Sequence, residues 1–146
     1  MGIGVKTFYS VAANVAFTSN VTLATVGLKS AIAAGQSQKI RAWVPVTVGA
    51  TGGIRLQIVV PAGGALFNAT IKLFNNVAPS LTTAVQSASA AFTNALANAG
   101  THWVEVEADI VNGATAGFVD LQFAQNTSDV LTATVLKGGS MDVTIF

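Results

Sequence analysis

Strict two-residue alternation of apolar and polar side chains is the strongest signal in this chain, and it points to sheets. In "QKIRAWVPVTVG", Ile40, Ala42, Val44, Val46 and Val48 share one face, while Arg41, Trp43, Pro45 and Thr47 share the other. Successive strand side chains point to opposite faces, so such a run buries one side and leaves the other open. Pro45 has no N–H to give a ladder, which predicts an edge strand or a bulge there. The pattern recurs in "IRLQIVV" (Ile54, Leu56, Ile58 and Val60 inward) and in "ALFNATIKLFNN" (Phe67, Ala69, Ile71 and Leu73 inward). It returns in "THWVEVEADIVNG", where His102, Val104, Val106, Ala108 and Ile110 alternate with Trp103, Glu105, Glu107 and Asp109. "AGFVDLQFAQ", "VLTATVLKG" and "SMDVTIF" follow, and "VKTFYSVAANVAFT" and "VTLATVGLKSAI" read as two or three softer strands.

Glycine and proline clusters separate these runs. "GATGG" (49–53) reads as a hairpin turn, "PAGG" (61–64) as another turn, and Asn112-Gly113 is the strongest short turn signal. Residues 78–99 fit less well. Leu81, Val85, Ala88, Phe92 and Leu96 recur at near-helical spacing, yet frequent Thr, Ser and Asn favour strand or irregular structure over a short helix. With no strand–helix alternation, the expectation is an all-β fold: one domain over 1–146, an antiparallel β-sandwich. Its form is jelly-roll-like, with about eight strands in two four-stranded sheets. The expected core contains Val44, Val46, Leu56, Ile58, Ile71, Leu121, Phe123 and Ile145.

Charge is scarce. Charged residues make up 9% of the chain, against about 25% in an average soluble protein. Seven basic and six acidic residues are thinly spread over the ~7,000 Å² that a monomer of this size exposes. A surface rich in Thr, Ser, Asn and Gln accounts for part of this, and burial against other chains in an obligate oligomer accounts for the rest. The net charge of +1 and the scattered cations leave no electrostatic footprint for nucleic acid. The charge-free interval from Leu73 to Val104 is too rich in polar residues to span a membrane. "MGIGVKTFYS" lacks the apolar run of a secretory signal, and Lys6 stands where myristoylation needs Ser or Thr. A soluble protein made and assembled inside a cell is expected.

Little chemistry is encoded. There is no cysteine, so no disulfide and no thiol nucleophile. The single His102 reads as a partly buried histidine satisfied by a neighbour. Glu105, Glu107 and Asp109 form a flat acidic row, about 7 Å from one to the next. Its plain reading is a solvated face or a partner for Lys and Arg on an adjacent strand; ion binding and paired-carboxylate hydrolysis are the alternatives. No nucleophile elbow, phosphate loop or zinc motif occurs. A non-enzyme without cofactor is expected. Trp43 and Trp103 lie opposite the apolar rows, as interface anchors or as a carbohydrate-stacking platform. Phe118 is a further candidate contact. Phe146 ends a strand-forming run; that strand is expected to be tucked between others or between subunits, with Phe146 a candidate subunit contact.

The C-terminal segment resembles a group of small bacteriophage virion proteins. The matching residues are Gly117, Leu121, Gln122, Phe123, Ala124, Gln125 and Asn126, then Thr132, Thr134, Val135, Leu136, Gly139 and Ser140. "RLQIVVPAGGALFNATI" is also similar to that group, and Gly138 is an added residue against its pattern. The resemblance implies a jelly-roll-like virion structural protein of the capsid decoration, or cement, type. Such a protein forms a homotrimer on the outer surface of the capsid, with the major capsid protein as partner and the host cytoplasm as site of synthesis. A tail, fibre or collar component is the alternative within this class, and a carbohydrate-binding module the alternative outside it.

Overall fold

A computed structural model describes residues 4–78, 80–86, 91–94 and 99–146. Every regular element among them is a strand. In chain order these are β1 (Val5–Ser10), β2 (Val15–Phe17), β3 (Ala24–Ile32), β4 (Ser37–Val48), β5 (Ile54–Val59) and β6 (Ala65–Asn75). Then follow β7 (Ser80–Gln86), β8 (Phe92–Asn94), β9 (Gly100–Val111), β10 (Gly117–Ala124), β11 (Ala133–Val135) and β12 (Ser140–Ile145). A large sheet runs β1-β12-β4-β9-β6-β7, with β11 pairing β4 and β2, and a small sheet runs β3-β10-β5-β8. All the pairings are antiparallel.

Eight of these strands form two four-stranded layers, β1-β12-β4-β9 and β3-β10-β5-β8, and from β3 to β5 and again from β8 to β10 each strand changes layer. That is the jelly-roll arrangement. The β6–β7 hairpin widens the large layer by two strands, and β2 and β11 add a short pairing beside β4. Among the described residues, twelve strands therefore stand where about eight were expected. Three of them have only three residues, too few for alternation to register in sequence.

The inner faces meet in one apolar core. Val44, Val46, Leu56, Ile58, Ile71, Leu121 and Phe123 are fully buried, as expected, while Ile145 is only partly so, at the core margin. Each fully buried Leu, Ile or Phe contributes about 1.5–3 kcal/mol relative to exposure.

Several local expectations are corrected. Pro45 lies in β4, a central strand, not an edge. Its carbonyl accepts the Leu136 N–H at 2.9 Å, on the side where the neighbour of β4 changes from β12 to β11. The missing donor thus falls where the ladder is interrupted anyway. Phe67 points outward and Leu66 takes its place in the core. Asn68, at φ +50°, forms a bulge that shifts the β6–β9 register between Phe67 and Thr70 and reverses the alternation. "GATGG" is not a hairpin turn, since it carries the chain from β4 in the large sheet to β5 in the small one. The expected break at Asn112-Gly113 is present and carries the chain from β9 to β10, in the other sheet, with the Asn112 side chain donating to Ala33 O and Thr115 O at 2.8 and 2.9 Å. Within 78–99 the structure agrees with the strand reading at Ser80–Gln86 and Phe92–Asn94; Ala88 and Leu96 lie outside the described residues. The added Gly138 sits at φ +92° in the β11–β12 turn, a backbone state that glycine adopts without strain.

Candidate interaction surface

Strand register arranges the outer face of the large sheet in cross-strand rows. One row runs Lys6–Thr144–Lys39–Asp109, and the next runs Phe8–Asp142–Arg41–Glu107–Thr70. A third runs Ser140–Trp43–Glu105–Lys72–Thr83, and a fourth Pro45–Trp103–Phe74–Leu81. Four of the seven cations and four of the six acids therefore lie on this one face.

Opposite signs stand on neighbouring strands, which favours the pairing. Lys39 Nζ lies 2.9 Å from Glu107 and 3.9 Å from Asp109, Arg41 reaches Glu107 at 3.3 Å, and Lys72 reaches Glu105 at 3.6 Å. The Lys39 hydrogen bond, seconded by the Arg41 charge, holds the Glu107 carboxyl below the usual carboxylate range against the opposing effect of burial. The same hydrogen bond and the charges of Glu107 and Asp109 hold the Lys39 ammonium above its ordinary value. The acidic row is thus engaged by Lys and Arg on the strands beside it. Two shallow dips of about 210 and 180 Å³ lie between these side chains, one lined by Lys6, Lys39, Arg41, Asp142 and Thr144, the other by Thr70, Lys72, Glu105 and Glu107. Among the described residues, no three metal-binding side chains converge.

One end of the same face is aromatic. Trp43 from β4 and Trp103 from β9 stack with centroids 5.6 Å apart, and Phe74 from β6 lies 5.4 Å from Trp43. Trp43 remains 42% exposed. Phe74 was not singled out from the sequence, although it alternates in phase with outward Thr70 and Lys72. Leu81 continues its row on β7.

The other two candidates lie elsewhere. Phe118 is on the outer face of the small sheet, 52% exposed, with Lys29 Nζ 4.3 Å from its ring centre. Phe146 follows β12 at the far end from the tryptophans; its N–H donates to Ser37 O at 3.0 Å and the residue is 71% exposed. β12 itself is held between β1 and β4, but the described residues leave the Phe146 ring largely open. His102 is more enclosed than expected. It is fully buried, and its Nδ1 accepts the Asn76 N–H at 3.3 Å, fixing the turn after β6.

A braced loop stands at the end of β10. Gln125, fully buried, accepts the N–H groups of Asn20 and Asp129 at 3.0 and 3.3 Å, and donates to Asp129 O and Leu131 O at 3.1 and 2.8 Å. The Leu131 N–H and the Thr51 hydroxyl donate to the Asp129 carboxylate and lower its pKa.

No family model matches the chain, and no curated protein does. Among solved structures it is similar to chains in the structures of infectious bursal disease virus strain Gx (TM-score 0.29, 10% identity) and strain Gt (TM-score 0.26, 11% identity). A third is the crystal structure of the VP2 subviral particle of that virus (TM-score 0.26, 12% identity). These alignments cover 98%, 97% and 97% of this chain but only 36%, 37% and 39% of the others. TM-scores this low do not establish a shared fold.

Proposed function

We propose that the chain is a virion structural protein, a bacteriophage capsid decoration subunit that trimerises and binds the outer surface of the major capsid shell. The observation that carries this reading is the set of large apolar side chains left open on both outer faces of the sandwich. Phe8, Trp43, Phe67 and Leu81 lie on one face and Phe118 on the other. Such side chains support burial against other chains, with Trp43, Trp103, Phe118 and Phe146 as subunit contacts. The sparse charge, the jelly-roll strand order and the resemblance of the C-terminal segment agree with it.

Decoration of this kind acts by mass action, because a protein that binds only the assembled shell stabilises it in proportion to RT ln(1 + [L]/Kd). The test is to add purified protein to expanded shells that lack it. Saturable cosedimentation at hundreds of copies, with a raised rupture temperature, is the expected result. Saturation at a handful of copies would instead indicate a tail, fibre or collar component. The open Trp43 ring favours one reading of another class, a carbohydrate-binding module. Glycan binding lost in Trp43→Ala, without any shell binding, would establish that reading in place of decoration.

A further inference from the structure

Among the described residues, five strands have a neighbour on one side only: β1, β2 and β7 in the large sheet, β3 and β8 in the small one. A sheet edge presents unpaired N–H and C=O groups, and soluble proteins block it with charge, proline, bulges or brevity. Four of the five edges here carry such a device. β1 bears Lys6. β3 bears Lys29, and its register with β10 slips around Gly27 at φ +91°. β2 and β8 have only three residues each.

β7 carries none of these among the described residues. Its seven residues, SLTTAVQ, contain no charge and no proline, and they pair with β6 without a slip. Leu81 and Val85 on this strand are 54% and 76% exposed. An uncharged, bulge-free edge with outward aliphatic side chains is a template for another strand.

We propose that β7 is the seat of a two-fold contact, in which β7 of a second copy adds antiparallel and joins the two large sheets into one. The segment is self-complementary about Thr83. Centred there, Leu81 faces Val85 of the second copy, Val85 faces Leu81, and Thr83 faces Thr83. Branched aliphatic and Thr–Thr cross-strand pairs are favourable ones. All three residues lie on the outer face, opposite Phe74, Lys72 and Thr70 of β6. The apolar row Trp103–Phe74–Leu81 therefore runs on across the junction into the second copy. The nearest charge, Lys72, is engaged by Glu105 on β9 at 3.6 Å, on the side away from the junction.

This contact goes beyond the decoration role and stands independently of it. An isologous pair closes at two chains, and a three-fold assembly whose subunits also pair this way closes at six. Light scattering after gel filtration, at micromolar concentration, is expected to give two or six chains for the wild type. Thr83→Glu faces Lys72 within its own chain, but sets two carboxylates against each other across the two-fold. It is expected to halve the number of chains and weaken the pairing at least about tenfold. An equimolar mixture with Thr83→Lys restores the even species.

A wild type of three chains would overturn the β7 contact and leave the trimer standing, and two chains would do the reverse. One chain would overturn both. An unchanged chain number in Thr83→Glu also overturns the contact. Amide exchange of the unsubstituted protein gives a second reading if that variant misfolds. Protection along β7 is expected to fall on dilution, and exchange independent of concentration overturns the contact.

Discussion

Trp43 and Trp103 stack on the outer face of the large sheet with ring centroids 5.6 Å apart and planes 30° from parallel, as diagonal neighbours on β4 and β9. An offset pair of this kind is worth about 0.5–1.5 kcal/mol beyond the area it buries. Trp43→Ala is therefore expected to lower stability by roughly 1–2 kcal/mol and leave the fold intact. The circular-dichroism couplet of two close indoles disappears in the variant. A loss much larger than this would mean that Trp43 is part of the core rather than an outward ring.

The Lys39–Glu107 pair sets a pH dependence. Glu107 is held below its ordinary pKa, so its contribution is present above the unfolded value and lost as pH falls through the folded one. Lys39 is held above its ordinary pKa, so its contribution is complete below the unfolded value and lost as pH rises through the folded one. Both contributions are therefore intact at neutral pH. Glu107→Gln is expected to flatten the acid limb of a urea-midpoint-versus-pH curve. The pair is exposed, so the difference is small and shrinks in 1 M salt, where the screening length is about 3 Å.

Gln125 is where a polar substitution should cost most. Its side chain satisfies two N–H groups and two carbonyls in the segments around Asn20 and Asp129, from a fully buried position. Gln125→Leu keeps similar bulk but leaves those groups to find water or go unpaired. A loss of about 3 kcal/mol is expected from chemical denaturation. Enhanced amide exchange at Asn20 and Asp129 would place the damage locally.

Gly113 approaches another backbone too closely for a side chain. A Cβ built there would lie 2.6 Å from the Gly63 carbonyl oxygen, on the neighbouring crossing between sheets. Gly113→Ala is expected to cost about 1–3 kcal/mol, the range for overpacking a tight site. Gly35→Ala is the control: it meets nothing within 4 Å and bears only the strain of φ +67°.

Alternation alone located the long strands and most of the core, because burial in a sandwich follows side-chain phase. It failed where one residue resets the phase: Asn68 turned Phe67 outward, and nothing in "LFNAT" distinguishes a bulge from a continuous strand. It also misjudged "GATGG" as a hairpin turn, since a glycine-rich connection looks the same whether its strands pair or enter different layers. The outward tryptophans were legible from Trp43 and Trp103 as residues opposite apolar rows. Their stacking was not, because it depends on the β4–β9 register, which places Trp103 opposite Pro45. Phe74 could have been found by continuing the alternation of Thr70 and Lys72 by one step.

The pairing of β1 with β12 along their full lengths, from Val5↔Ile145 to Ser10↔Ser140, has a consequence for biosynthesis. Contacts this distant in sequence form late and slow folding to milliseconds or longer. A nascent chain emerging from the ribosome must hold β1 unpaired until β12 has been made. Until then the flank of β4 that β12 covers is open, and a chain halted early would present that flank to chaperones, proteases or other stalled copies.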